Sequence, residues 1–198
     1  MNKIEFKFKN ALKLQEKKEY AKALKILIPL AQNGFSKAQR ILGESYLQGI
    51  GVNININKSI FWFTKASEQN DAVSFYWLGF IYEPGMDIKG MEIKIKNHDK
   101  SKKFYELAVK FFQKDAEDAD AEAMRWLAIC YQTGSGITQN FEKAIYWFER
   151  ALEHGNLFAA NDLFTIYSQK GTPWYDEQKA RGFYDKLKRT KSQVVYEK

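Results

Sequence analysis

Few residues in this chain carry reactive side chains. Its 198 residues hold one cysteine and two histidines. Cys130 stands between Ile129 and Tyr131 with no histidine on the same helix face, a setting for a buried inert thiol rather than a nucleophile. One cysteine also excludes an internal disulfide and any multi-cysteine zinc site. His98 lies in a lysine-rich run, and His154 falls at a helix end, where an imidazole can favour the helix dipole. Two histidines in unrelated contexts, away from clustered acids, make no metal site. Asp115, Glu117, Asp118, Asp120 and Glu122 do cluster, but without the Gly and Glu spacing of a calcium loop. Acids there suit a helix N-terminus. No Gly-rich phosphate loop, G-x-S-x-G or H-E-x-x-H string is present. The chain is expected to catalyse nothing and to need no metal or cofactor.

Recognition chemistry is better represented. Aromatic residues make up 16% of the chain. Arg40-Ile41, Tyr76-Trp77 with Phe80, and Arg125-Trp126 place Trp, Tyr and Arg side by side, the residue types that dominate binding hot spots. Two readings of Trp77 and Trp126 stand open. They either form an exposed apolar ladder flanked by Arg40 and Arg125, or pack between neighbouring elements as core.

Composition bounds the class of protein around these residues. Hydrophobic residues at 45% and charged residues at 28% exclude a disordered chain. Twelve Gly and three Pro argue against a loop-rich all-β protein. No apolar stretch approaches the roughly 18 residues of a membrane span. The first residues, Met1 to Lys7, carry charges where a secretory signal needs an apolar core, so a cytoplasmic address is expected. The net charge of +7 is uneven. Residues 1–34 carry +5, residues 86–114 carry +4, residues 115–178 carry −7 and residues 179–198 carry +5. That alternation suits a steered protein partner or ordinary solvated helix faces. It does not suit a uniform nucleic-acid stripe, so nucleic-acid binding is kept only as the alternative function.

An internal repeat organises the chain. Adding 85 to Ala38, Leu42, Gly43, Tyr46, Gly49 and Gly51 gives Ala123, Leu127, Ala128, Tyr131, Gly134 and Gly136. The same offset carries Lys58, Ile60, Trp62, Phe63 and Ala66 to Lys143, Ile145, Trp147, Phe148 and Ala151. An offset of 36 finds further copies at Ser74, Leu78, Gly79, Tyr82 and at Ala159, Leu163, Tyr167. Each unit of about 36 residues reads as two helices, A and B, with the apolar stripe of helix A at i, i+4, i+5 and i+8. The Gly49-x-Gly51 pair ends helix A, and Gly34, Asn70 and Gly155 end helix B. Gly43 and Gly79, inside helices at a cost of roughly 1 kcal/mol each, predict a close approach of two helices. Trp62, Trp147, Tyr46, Tyr82, Tyr131 and Tyr167 read as core.

The strings from Ala38 to Val52 and from Lys58 to Ala66 resemble the Sel-one-like repeat, a relative of the tetratricopeptide repeat. Its pattern is A-x-x-x-L-G-x-x-Y-x-x-G-x-G-V followed by K-A-x-x-W-[YF]-x-x-A-A-x-x-G. The second and fourth copies match strongly, the third and fifth mainly in their first half. The resemblance implies an all-α fold, an α/α superhelical solenoid of about five helix-turn-helix repeats, near 1–34, 35–70, 71–119, 120–155 and 156–190, as one domain. It further implies a concave surface lined by helix A that binds proteins, and no catalytic residues. At the position just before the Leu-Gly pair, which holds Ile41, Trp77, Trp126 and Asp162, the family usually has polar residues, often Asn, where this chain has Ile41, Trp77 and Trp126.

The third copy is 13 residues longer than the others, and Met86 to Lys96 is expected to carry the surplus as an inserted loop near 86–98. Apolar and charged residues alternate from Met91 to Lys96, a strand-like period, with Lys89-Gly90 as a possible turn. Insertions in repeat arrays often face a partner, which makes Ile88, Lys89, Met91 and Ile93 specificity candidates. The basic first and last helices, about 3–17 and 176–190, read as polar caps. The expectation is a non-enzymatic adaptor, monomeric or weakly oligomeric, that holds a peptide or protein against Arg40, Ile41, Tyr76, Trp77, Phe80, Arg125 and Trp126. Its arginines are expected to pair acids on the partner. A bacterial toxin-immunity or host-interaction protein is a narrower version of the same reading.

Overall fold

The computed structural model describes residues 2–85, 87–88, 91–92 and 95–196. Ten helices run through the described residues as five A/B pairs: α1 (Lys3–Glu16) with α2 (Tyr20–Gln32), α3 (Ser36–Gln48) with α4 (Ile56–Ser67), α5 (Ala72–Tyr82) with α6 (His98–Glu117), α7 (Ala121–Thr133) with α8 (Phe141–Glu153), and α9 (Phe158–Ser168) with α10 (Glu177–Tyr196). This is the all-α helical-repeat solenoid class. The chain divides into two compact units, residues 1–111 and 112–198.

One three-residue device joins helix A to helix B in four of the pairs. The backbone N–H of Asn55 donates to the Tyr46 carbonyl at 2.8 Å, and Asn97, Asn140 and Asp176 do the same to Tyr82, Tyr131 and Tyr167 at 3.0, 2.8 and 2.9 Å. Each of those Asn or Asp side chains then accepts from the N–H three residues on, that of Lys58, Lys100, Lys143 or Lys179, and so caps helix B. The same lysine returns its Nζ over the tyrosine ring, 5.2, 5.2, 5.4 and 4.9 Å from the centroid in chain order. The tyrosine, the cap and the lysine thus hold one another, which explains why the repeat keeps all three.

Helix A ends as its glycines predict. Gly49 and Gly134 cap α3 and α7 in the left-handed conformation, where a Cβ would be strained. At the end of helix B, Asn70 and Ala119 adopt the same conformation without being glycine (φ 64° in both).

Helix A and helix B meet closely. A Cβ added to Gly43 would fall 2.6 Å from the Phe63 ring, and one on Gly79 would fall 2.7 Å from the Tyr105 ring. Ser59 and Ser101 cross the same gaps, donating to the Gly43 and Gly79 carbonyls at 2.9 Å. Below these contacts sits the core. In the first unit one cluster gathers Leu24, Leu27, Leu30, Ala38 and Leu42, and a second gathers Leu47, Phe63, Leu78 and Ile81. In the second unit Phe112, Met124, Leu127, Phe148 and Leu163 are fully buried.

The insertion differs from its expectation. Fifteen positions separate Tyr82 from Asn97, where nine separate Tyr46 from Asn55, Tyr131 from Asn140 and Tyr167 from Asp176. The loop therefore takes only six of the 13 extra residues. The other seven lengthen α6, which has 20 residues against 12 in α4 and 13 in α8. Seven residues are close to two turns at about 3.6 per turn, so the buried face returns to the same side. Within the loop, β1 (Asp87–Ile88) pairs antiparallel with β2 (Met91–Glu92), Ile88 opposite Met91. The strand period expected as far as Lys96 is not kept at Ile95 and Lys96, which belong to neither strand. The proposed turn at Lys89-Gly90 lies outside the described residues, as do Met86, Ile93 and Lys94.

Candidate functional site

The helix-A residues put forward from the sequence occupy positions that the repeat fixes. Trp77 on α5 lays its ring on Phe63 of α4, centroids 6.3 Å apart and planes 16° from parallel. Trp126 on α7 stacks on Phe112 at 6.0 Å and 5°. Both indoles are half-buried, and each gives one face to the phenylalanine fourteen residues before it. Phe80 closes on Trp77 edge-on at 5.6 Å. Ile41 packs partly buried on the first core cluster. Tyr76 is only 9% exposed and meets Tyr105 edge-on at 5.3 Å, so it offers little surface to a partner.

The arginines differ from their expected role. Arg125 grips Asp162 with two bonds, Nε to Oδ2 at 2.5 Å and Nη2 to Oδ1 at 3.2 Å. Arg40 lies 3.5 Å from the Asp71 carboxylate and 3.8 Å from that of Glu44. Both guanidiniums are thus engaged by acids of this chain and are not presented to acids of a partner. The reason is register. Asp162 stands where Ile41, Trp77 and Trp126 stand in the other copies, and it places a carboxylate beside the preceding helix A. Asp71 also caps α5, accepting from the Ser74 N–H at 2.8 Å.

A residue not singled out from the sequence completes the picture in the second unit. Phe158, at the start of α9, is 74% exposed. The Arg125 guanidinium carbon lies 5.7 Å from its ring centroid. Asp162, Arg125 and Phe158 form a fixed acid–guanidinium–aromatic stack, with Trp126 adjacent in sequence to its middle member. The repeat gave only a weak signal for it: the matching positions hold Lys37, Val73 and Glu122, so no residue type is kept there and an aromatic ring is new to the slot.

The remaining candidates contribute no reactive group. Burial pushes the Cys130 thiol up to about 12, far from the thiolate that reaction needs. His98 opens α6, and His154 caps α8 with Nδ1 2.9 Å from the Arg150 carbonyl oxygen. Among the described residues no three His, Cys, Asp or Glu side chains converge as metal ligands. Ile88 and Met91 sit opposite each other in the strand pair, while Lys89 and Ile93 fall outside the described residues. No helix is long and apolar enough to cross a membrane among the described residues.

Comparison with known proteins agrees with this architecture. The Sel1 repeat pattern matches residues 36–71, 76–114 and 121–156. These are the second, third and fourth helix pairs. No curated protein sequence matches the chain significantly. Among solved structures, a Sel1 repeat protein from Oxalobacter formigenes is 26% identical, with 96% of this chain and 89% of that one covered at a TM-score of 0.45. Pseudomonas aeruginosa PA5086 is 20% identical, covering 96% and 82% at a TM-score of 0.53. The immunity protein Pa5087 from Pseudomonas aeruginosa is 19% identical, covering 96% and 82% at 0.51. At such identities the two Pseudomonas structures speak for the fold alone.

Proposed function

The chain belongs to the Sel1 repeat family, and we propose that it acts as a non-enzymatic scaffold that binds a protein or peptide on its helix-A surface. Sel1 repeats are generally protein-interaction modules, and the family match supports that coarse reading. The observation that carries the finer one is Phe158. A phenylalanine ring 74% exposed, held beside a guanidinium that is itself fixed by two bonds to Asp162, is a rigid and preorganised anchor. Because Asp162 neutralises Arg125, the surface recognises an apolar or aromatic side chain rather than a carboxylate.

The experiment is capture from native lysate on the immobilised chain, wild type beside Phe158→Ala, washed at low and high salt. The proposal expects one protein to be retained by wild type and lost by the variant at both salt concentrations. Equal retention by both chains would contradict it. Retention of nucleic acid alone, released by salt and indifferent to Phe158, would replace it with the electrostatic alternative.

A further inference from the structure

The last helix pair departs from the packing of the others, and the departure opens a cleft. Glycine at 43 and 79 lets the rings of Phe63 and Tyr105 lie directly on helix A. Ala128 and Phe148, twenty residues apart like Gly43 and Phe63, are both fully buried. At the matching position α9 carries Phe164. Its partner Tyr184, again twenty residues on, is 44% exposed, whereas Phe63 and Phe148 are at 0%. The Phe164 and Tyr184 rings tilt past each other with centroids 5.9 Å apart. Beside them lies a cleft of about 510 Å³, lined by Phe164, Tyr175 and Tyr184 and by the charged groups of Lys170, Arg181 and Glu177. That volume falls within the range of about 300–1,000 Å³ typical of ligand pockets.

The charges of the cleft indicate what enters it. Tyr175 donates its hydroxyl to Glu177 Oε2 at 3.3 Å, so the lining acid already has a partner. Neither Lys170 nor Arg181 has an ion-pair partner among the described residues, unlike Arg40 and Arg125. The helix that carries Arg181 is strongly basic: residues 179–191 hold six Lys and Arg against the single acid Asp185. A second copy docking through its residues 1–34 is disfavoured, since these also carry +5.

We propose that this cleft docks an acidic segment of a partner protein, with one aromatic or leucine side chain inserted among Phe164, Tyr175 and Tyr184 and flanking carboxylates on Lys170 and Arg181. The aromatic walls supply burial and the cations supply register and steering. The site is separate from the helix-A patch around Phe158, so either can fail without the other.

The test titrates the full chain against a short fluorescent peptide with a central phenylalanine flanked by glutamates. Saturable binding is expected. It weakens about tenfold or more when the peptide's phenylalanine becomes alanine, as for a hot-spot anchor, and by a similar factor in Arg181→Glu. Tyr184→Ser, at a half-exposed position, gives a second variant, and circular dichroism verifies that both fold. Equal affinity for a lysine-flanked peptide, or unchanged affinity in Arg181→Glu, overturns the proposal. A dimer seen by sedimentation that Tyr184→Ser dissolves overturns it too, because a second copy then fills the cleft. So does displacement of the peptide by an oligonucleotide that binds the wild type and Tyr184→Ser equally.

Discussion

The fourth and fifth helix pairs use the same register for opposite purposes. In the fourth pair a small residue, Ala128, and a buried ring, Phe148, close helix A on helix B. In the fifth, Phe164 occupies the small position and Tyr184 moves to the surface beside a cleft. The joint that turns the chain is nevertheless the same in both: Tyr131, Asn140 and Lys143 are reproduced by Tyr167, Asp176 and Lys179. The repeat can thus keep its turn and still change its packing at one interhelical position, while Tyr167 goes on stacking against Phe183. Function is to be sought where packing residues change while turn residues do not.

The comparison can be broken most forcefully at the ring itself. Phe148→Ala removes a fully buried side chain and is expected to cost about 4 kcal/mol in denaturant unfolding. Tyr184→Ala, one repeat later, is expected to cost less than about 1 kcal/mol, because its ring is already 44% exposed. Equal costs would show that the last pair packs like the rest. The small position gives the next effect. Gly43→Ala sets a Cβ 2.6 Å from the Phe63 ring and should destabilise by about 2 kcal/mol despite alanine's better helix propensity. A gain in stability there would mean that the close approach relaxes freely.

Ser74 sharpens the same comparison with a smaller effect of opposite sign. It stands where Ala38, Ala123 and Ala159 stand in the other copies, fully buried, with no hydrogen-bond partner for its Oγ. Ser74→Ala is expected to stabilise by about 1 kcal/mol, read as a higher unfolding midpoint in urea. Least visible is Cys130. Burial raises its pKa to about 12, so a thiol reagent at pH 8 should leave the native chain unlabelled and modify it only after unfolding.

Much of this was legible in the sequence because the repeat is periodic. The helix pairs, the left-handed caps at Gly49 and Gly134, and the close approach at Gly43 all followed from comparing one copy with another. What was not legible depended on the pairing of side chains across repeats. Arg40 and Arg125 looked like partner contacts because Asp71 and Asp162 lie 31 and 37 positions further on, with no local pattern linking them. The split of the 13 extra residues between loop and helix was hidden for another reason. Seven added residues keep the 3.6-residue stripe of α6 in phase, so periodicity alone does not show where the helix was lengthened.

The central claim is that aromatic side chains packed on buried neighbours build the fold and that the exposed ring of Phe158 binds the partner. Trp126→Ala and Phe158→Ala, thirty-two positions apart in the second unit, test it most directly when unfolding and partner capture are measured on both. Trp126 stacks on the buried Phe112, so its loss should lower stability by about 2 kcal/mol. Phe158 is 74% exposed, so its loss should leave stability within about 0.5 kcal/mol of wild type while abolishing capture. A Phe158→Ala chain that unfolds early, or one that retains the partner at wild-type strength, would contradict the account.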